Sequence, residues 1–125
     1  MSHFSINKIK LKNPNRELLV QAIKQMASDL GFEIVDKIRD FNGNTRTDFL
    51  IGIKNKVFHR GVGIREDGSL VGDFWGIPTA EREKLARKII QYYTINAVVS
   101  SLRSMGYNIQ VQKGAQQHVV IAEGI

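Results

Sequence analysis

The sequence contains no cysteine. Disulfides, a thiol nucleophile and metal or cluster sites built on thiolates are therefore excluded. A cysteine-free chain suits reducing and oxidising compartments alike, so this absence leaves the compartment open. Proline is scarce too. The two prolines are Pro14 and Pro78, and no Pro/Ser-rich stretch marks a linker or a tail. Long hydrophobic runs are also missing. Phe49-Leu50-Ile51 is typical of the longest, far short of the ~20 apolar residues of a spanning helix. The opening Met1-Ser2-His3-Phe4-Ser5-Ile6 lacks the basic region and apolar stretch of a signal peptide. The expectation is a protein without a membrane span, made and used in a soluble compartment.

What is present fits one domain covering residues 1–125. A chain of 125 residues with a 42% hydrophobic fraction can close a core without a metal or a disulfide. The net charge is +6, and it is lopsided. Residues 1–62 carry 11 lysines and arginines against 6 acids, whereas residues 63–125 carry 7 against 6. A basic balance fits an anionic partner such as RNA, a lipid surface or an acidic protein, and equally a charge kept for solubility.

Residues 4–12 alternate Lys8, Lys10 and Lys12 with Ile9 and Leu11, the pattern of an exposed or edge strand. A helix comes next, with Asn13 as cap and Pro14 in the first helical position. Leu19, Ala22, Ile23, Met26, Ala27 and Leu30 recur at helical spacing, and Gly31 ends the helix. Two strands, 32–41 and 48–54, flank Asn42-Gly43-Asn44 and pair antiparallel. Phe49, Ile51 and Ile53 share one face of the second. Strands 57–65 and 69–75 make a hairpin around Asp67-Gly68. A long helix spans 79–105, capped by Thr79, and strands 107–113 and 118–122 form a last hairpin. The predicted fold is α+β, in the order β-α-β-β-β-β-α-β-β. Two helices lie on one face of a mostly antiparallel sheet and leave the other face open. Leu30-Gly31-Phe32-Glu33-Ile34 and Met105-Gly106-Tyr107-Asn108-Ile109 share a pattern. It fits either an internal duplication or helix-capping chemistry used twice.

Motifs for chemistry are sparse. His3, His59 and His118 lie far apart, none with a partner at metal-ligand spacing, so no metal site or cofactor is expected. Gly61-Val62-Gly63 begins a GxGxxG, but Glu66 takes its last position and a hairpin comes after it in place of a helix. Asp48 and Asp73 are strand-borne acids with nothing to bring them together, so no catalytic residue is assigned and the protein is read as a non-enzyme. The informative stretch is residues 57–76. Asp-Gly commonly forms a two-residue turn, which pairs Ile64 with Val71, Val62 with Asp73, and Arg60 with Trp75. Arg60 then covers the Trp75 ring, and Gly61, Gly63 and Gly72 line the opposite face with His59 and Phe74. A three-residue loop shifts this register. Trp75 and Arg60 are good interface anchors. The other reading makes Trp75 core and the glycines shapers of a twisted sheet.

On the long helix, Leu85, Ile89, Tyr92, Asn96 and Val99 form one line, and Ile95, Val98, Leu102 and Met105 form a second. A helix this widely apolar has surface for the sheet and for a neighbour, including a second copy.

The opening Met1-Ser2-His3-Phe4, the segment Asp48-Phe49-Leu50, the strand Gly61-Val62-Gly63-Ile64, the motif Asp73-Phe74-Trp75-Gly76 and Tyr93 with Gly106-Tyr107 carry a family resemblance. Across nearly the whole chain the sequence resembles the Ycf-thirty-five family of algal plastids and cyanobacteria. The resemblance implies a plastid stroma or a cyanobacterial cytoplasm. It supplies no catalytic residues, and it suggests an accessory role beside an AAA-type ATPase. The resulting expectation is a non-catalytic accessory protein that docks on a larger assembly through Trp75, Asp73, Arg60, Phe74 and His59. The alternative is RNA or ribosome binding through Lys8, Lys10, Lys12, Lys54 and Lys56.

Overall fold

The computed structural model describes residues 4–7, 11–113 and 118–123. Its elements run β1 (Ser5–Asn7), α1 (Arg16–Leu30), β2 (Glu33–Val35), β3 (Ile38–Arg39), β4 (Thr45–Arg46), β5 (Ile51–Lys54), β6 (Val62–Ile64), β7 (Leu70–Gly72), α2 (Thr79–Ser104), β8 (Asn108–Lys113) and β9 (His118–Glu123). The fold is α+β, as expected. Five strands pair antiparallel in the order β1-β7-β6-β5-β2, while β3–β4 and β8–β9 are separate two-stranded ladders. The expected strand over 32–41 is thus two short strands. Its first part, β2, pairs with β5, and its second part, β3, turns back on β4 around the Asn-Gly tip.

Local capping explains where the helices start and stop. The cap of α1 is Asn15, not Asn13, and its side chain accepts from the Leu18 N–H at 3.1 Å. Pro14 therefore precedes the cap, and Asn13 takes a positive φ of 47°. Gly31 ends α1 in the left-handed region at φ 78°, where a Cβ is penalised. Thr79 is the first helical residue of α2 instead of its cap, and no side chain caps that end. The two look-alike segments share a left-handed glycine, Gly31 and Gly106. They differ in the strand that each leads into, since β2 joins the five-stranded sheet and β8 pairs only with β9.

One face of the sheet carries Ile51, Ile53, Val62, Ile64 and Leu70, which pack with Leu19, Ile23 and Met26 of α1 and Leu85, Ile89 and Tyr92 of α2. Tyr92 donates to Asp29 Oδ2 at 2.8 Å, and the Asn15 N–H donates to the Tyr93 hydroxyl at 2.8 Å. Asn15 and Asp29 sit at opposite ends of a helix about 22 Å long. Both ends reach adjacent residues of α2, so α1 crosses α2 near its middle. Burial, then the bond to Asp29, pushes the Tyr92 phenol above its ordinary range.

The other face is not open, which corrects the expectation. Gly52 and Gly63 are opposite one another in the β5–β6 register. The Phe49 ring lies over this bare backbone, since a Cβ built on Gly63 would sit 2.6 Å from its Cγ. Phe49 precedes β5 and crosses to the face opposite Ile51 and Ile53, contrary to the alternation expected of it. Ile38 of β3 covers Gly61 in the same way, and Val71 is fully buried. The glycines give room to the chain's own side chains, a packing in which an aromatic ring shields backbone that has no side chain of its own.

Gly63→Ala is expected to lower stability by about 1–3 kcal/mol through overpacking. Denaturant unfolding measures it. In a Phe49→Ala background the same change should cost clearly less, because the ring it strikes is gone.

Candidate functional site

Two turns bring the site together. In the first, the Asp40 N–H donates to the Asn44 carbonyl at 2.9 Å and the Gly43 N–H to the Asp40 carbonyl at 3.1 Å. Gly43 takes a φ of 86°. Asp40 Oδ1 accepts from the Asn44 N–H and Oδ2 from its side-chain amide. That amide, more than any other partner, holds the Asp40 carboxyl below its usual value. In the second turn, the Ile77 N–H donates to the Phe74 carbonyl at 2.9 Å, with Gly76 at φ 82° in the position that requires it. Phe41 and Trp75 occupy the same place, the second residue of a four-residue turn, where side chains project outward.

Asp73 joins these turns. Its Oδ2 accepts from the Phe41 N–H at 2.7 Å and its Oδ1 from the Trp75 N–H at 3.1 Å. Arg60 lies beneath them. Its Nη1 donates to the Trp75 carbonyl at 2.8 Å, its Cζ lies 5.6 Å from the centre of the Phe41 ring, and its own carbonyl accepts from the Arg39 N–H at 2.9 Å. Asp73 is 2% exposed and Arg60 8%. Above them Phe41 is 58% exposed and Trp75 57%, and the two rings meet edge to face with centres 5.4 Å apart. Two large rings in contact, each more than half in water, form a continuous apolar patch on a rigid polar base.

The expected site is therefore rearranged. The hairpin takes the three-residue loop: Arg65 and Ser69 close it, and Gly68 has a φ of 85°. The register becomes Gly63 with Val71 and Ile64 with Leu70, in place of Ile64 with Val71. Arg60 consequently does not lie over the indole but donates to the Trp75 backbone carbonyl, and its guanidinium faces Phe41. Asp73 and Arg60 support the surface from below and do not form it. Phe74 is buried in the core, edge to face with Phe58 and under the Arg82 guanidinium. His59 is exposed, and its ring lies 3.4 Å from the Val57 carbonyl. Phe41 was not among the expected residues. Its signal was an aromatic side chain directly before Asn-Gly, where a strand residue and a turn corner look alike.

The remaining candidates lie elsewhere. Lys12, Lys54 and Lys56 are exposed, and Lys54 stands opposite Glu33 in the β2–β5 register. Lys8 and Lys10 fall outside the described residues. Asp48 accepts from Arg46 Nε and Nη2, one bidentate guanidinium edge, which lowers its carboxyl. A shallow cavity of about 520 Å³ beside Asp48 is lined by neither Asp73 nor His59. Among the described residues no three histidines or acids gather at metal-binding distance, and no helix is long and apolar enough to cross a membrane. No family model, curated protein or solved structure matches the chain.

Asp73→Ala leaves two backbone N–H groups without an acceptor and should cost about 2–4 kcal/mol in urea unfolding. Trp75→Ala, which removes only exposed surface and one ring contact, should cost about 1 kcal/mol or less.

Proposed function

We propose that this chain is a non-catalytic binding or accessory protein that docks on a larger assembly through Phe41 and Trp75. One observation carries the reading: two exposed aromatic rings in contact, held in fixed turns by the buried Asp73 and Arg60. A preorganised aromatic pair loses little entropy when it is covered, so it can supply the centre of an interface. The likeness to the Ycf-thirty-five family supports a plastid or cyanobacterial assembly, with an AAA-type ATPase as the first partner to seek.

The test is affinity purification of the tagged chain from algal plastid or cyanobacterial extract, followed by mass spectrometry. The wild type should retain a defined protein partner. Phe41→Ala combined with Trp75→Ala should lose it while keeping the wild-type circular dichroism spectrum. Retention of the same partner by the double variant contradicts the reading. Nuclease-sensitive recovery that falls steeply with salt would instead assign binding to RNA and the exposed lysines.

A further inference from the structure

The second helix changes character where α1 crosses it. Residues 79–91 hold six charged side chains, Glu81, Arg82, Glu83, Lys84, Arg87 and Lys88, whereas residues 94–123, to the end of β9, hold only Arg103, Lys113 and Glu123. The first stretch of α2 supplies Leu85, Ile89 and Tyr92 to the core, and beyond the crossing Val99 is the one buried helical residue. The second apolar line of the helix is left in water. Val98 is 42% exposed and Met105 62%, with Leu102 half-buried between them. Tyr107, just past the helix end, is exposed as well. The hairpin β8–β9 packs on α2 and, among the described residues, pairs with no other strand. Its Ile109 and Val111 are only half-buried. A two-stranded ladder is marginal when it stands alone, and here it rests on one helix.

We propose that two copies of this chain associate through the C-terminal half of α2 and the β8–β9 hairpin. The charge pattern selects a second copy as the occupant. In a two-fold interface the same patch meets itself, so a basic patch repels its twin and an apolar, nearly uncharged one does not. On a chain of net charge +6, this stretch carries almost none of the charge. An anionic partner would be drawn to the basic first half and away from this surface. Depletion of charge together with Met and Tyr is also the composition of an interface centre. The free edges of the hairpin offer strand pairing to the copy, which gives the marginal ladder the further strands it lacks. This surface is separate from the Phe41–Trp75 pair, so the two assignments stand or fall independently.

Sedimentation equilibrium of the full chain tests the proposal over about 1–100 μM, a range that brackets a modest dimer affinity. The wild type should reach twice the monomer mass at the upper end and hold it when salt is raised to about 0.5 M, because an apolar contact is not screened. Val98→Glu with Met105→Glu should weaken association at least ten-fold. The size-matched Val98→Thr with Met105→Gln should weaken it less while preserving the circular dichroism spectrum. Phe41→Ala with Trp75→Ala should leave the dimer intact. A monomer throughout the range overturns the proposal, as does a dimer untouched by both helix variants or one lost with the aromatic pair.

Discussion

One carboxylate holds the two aromatic-bearing turns of this molecule together. Asp73 accepts the backbone N–H groups of Phe41 and Trp75, which belong to turns well separated in the chain. Charge-assisted bonds of this kind are among the stronger ones a protein makes, and a buried acceptor without its donors would be costly. The exposed rings depend on that tie for their contact. So does the position of the β3–β4 tip, which leans over Arg60 and Gly61 and closes the second face of the sheet. Arg60 completes the base through the Trp75 carbonyl. The polar groups are buried and the apolar rings are in water, the reverse of what a sequence reader assigns to Asp, Arg, Phe and Trp.

Much of the fold was legible because it rests on local chemistry. The stripe of Leu19, Ala22, Ile23, Met26 and Ala27 is buried as its spacing required, and Gly31 closes α1 in the left-handed region. The hairpins at Asn42-Gly43 and Asp67-Gly68, and the pairing of β8 with β9, arise from turn residues and alternation. The register around Asp67-Gly68 was not legible. Two-residue and three-residue loops can carry the same Asp-Gly, and the choice here falls to the longer loop with Gly68 left-handed. That single-residue difference moved Arg60 away from the indole face.

Phe49 was the other illegible residue. Alternation placed it with Ile51 and Ile53, but β5 begins only at Ile51, so Phe49 is free to turn to the opposite face. It fills the slot left by the cross-strand glycine pair Gly52 and Gly63, a long-range fit that no local pattern encodes. The middle of the sheet is thereby covered on both faces. The exposed aromatic patch lies at the turns beyond the sheet, and the charge-poor end of α2 leaves a second, separate apolar surface in water.

The Trp75 ring is exposed, and its tie to Asp73 should hold it still. Time-resolved fluorescence anisotropy reads this directly, because Trp75 is the single tryptophan of the chain. In the wild type the indole should emit as a solvent-exposed ring and tumble with the whole molecule. In Asp73→Asn it should gain a fast nanosecond component. An indole that already moves freely in the wild type, or one unchanged by the loss of the carboxylate, would contradict that tie.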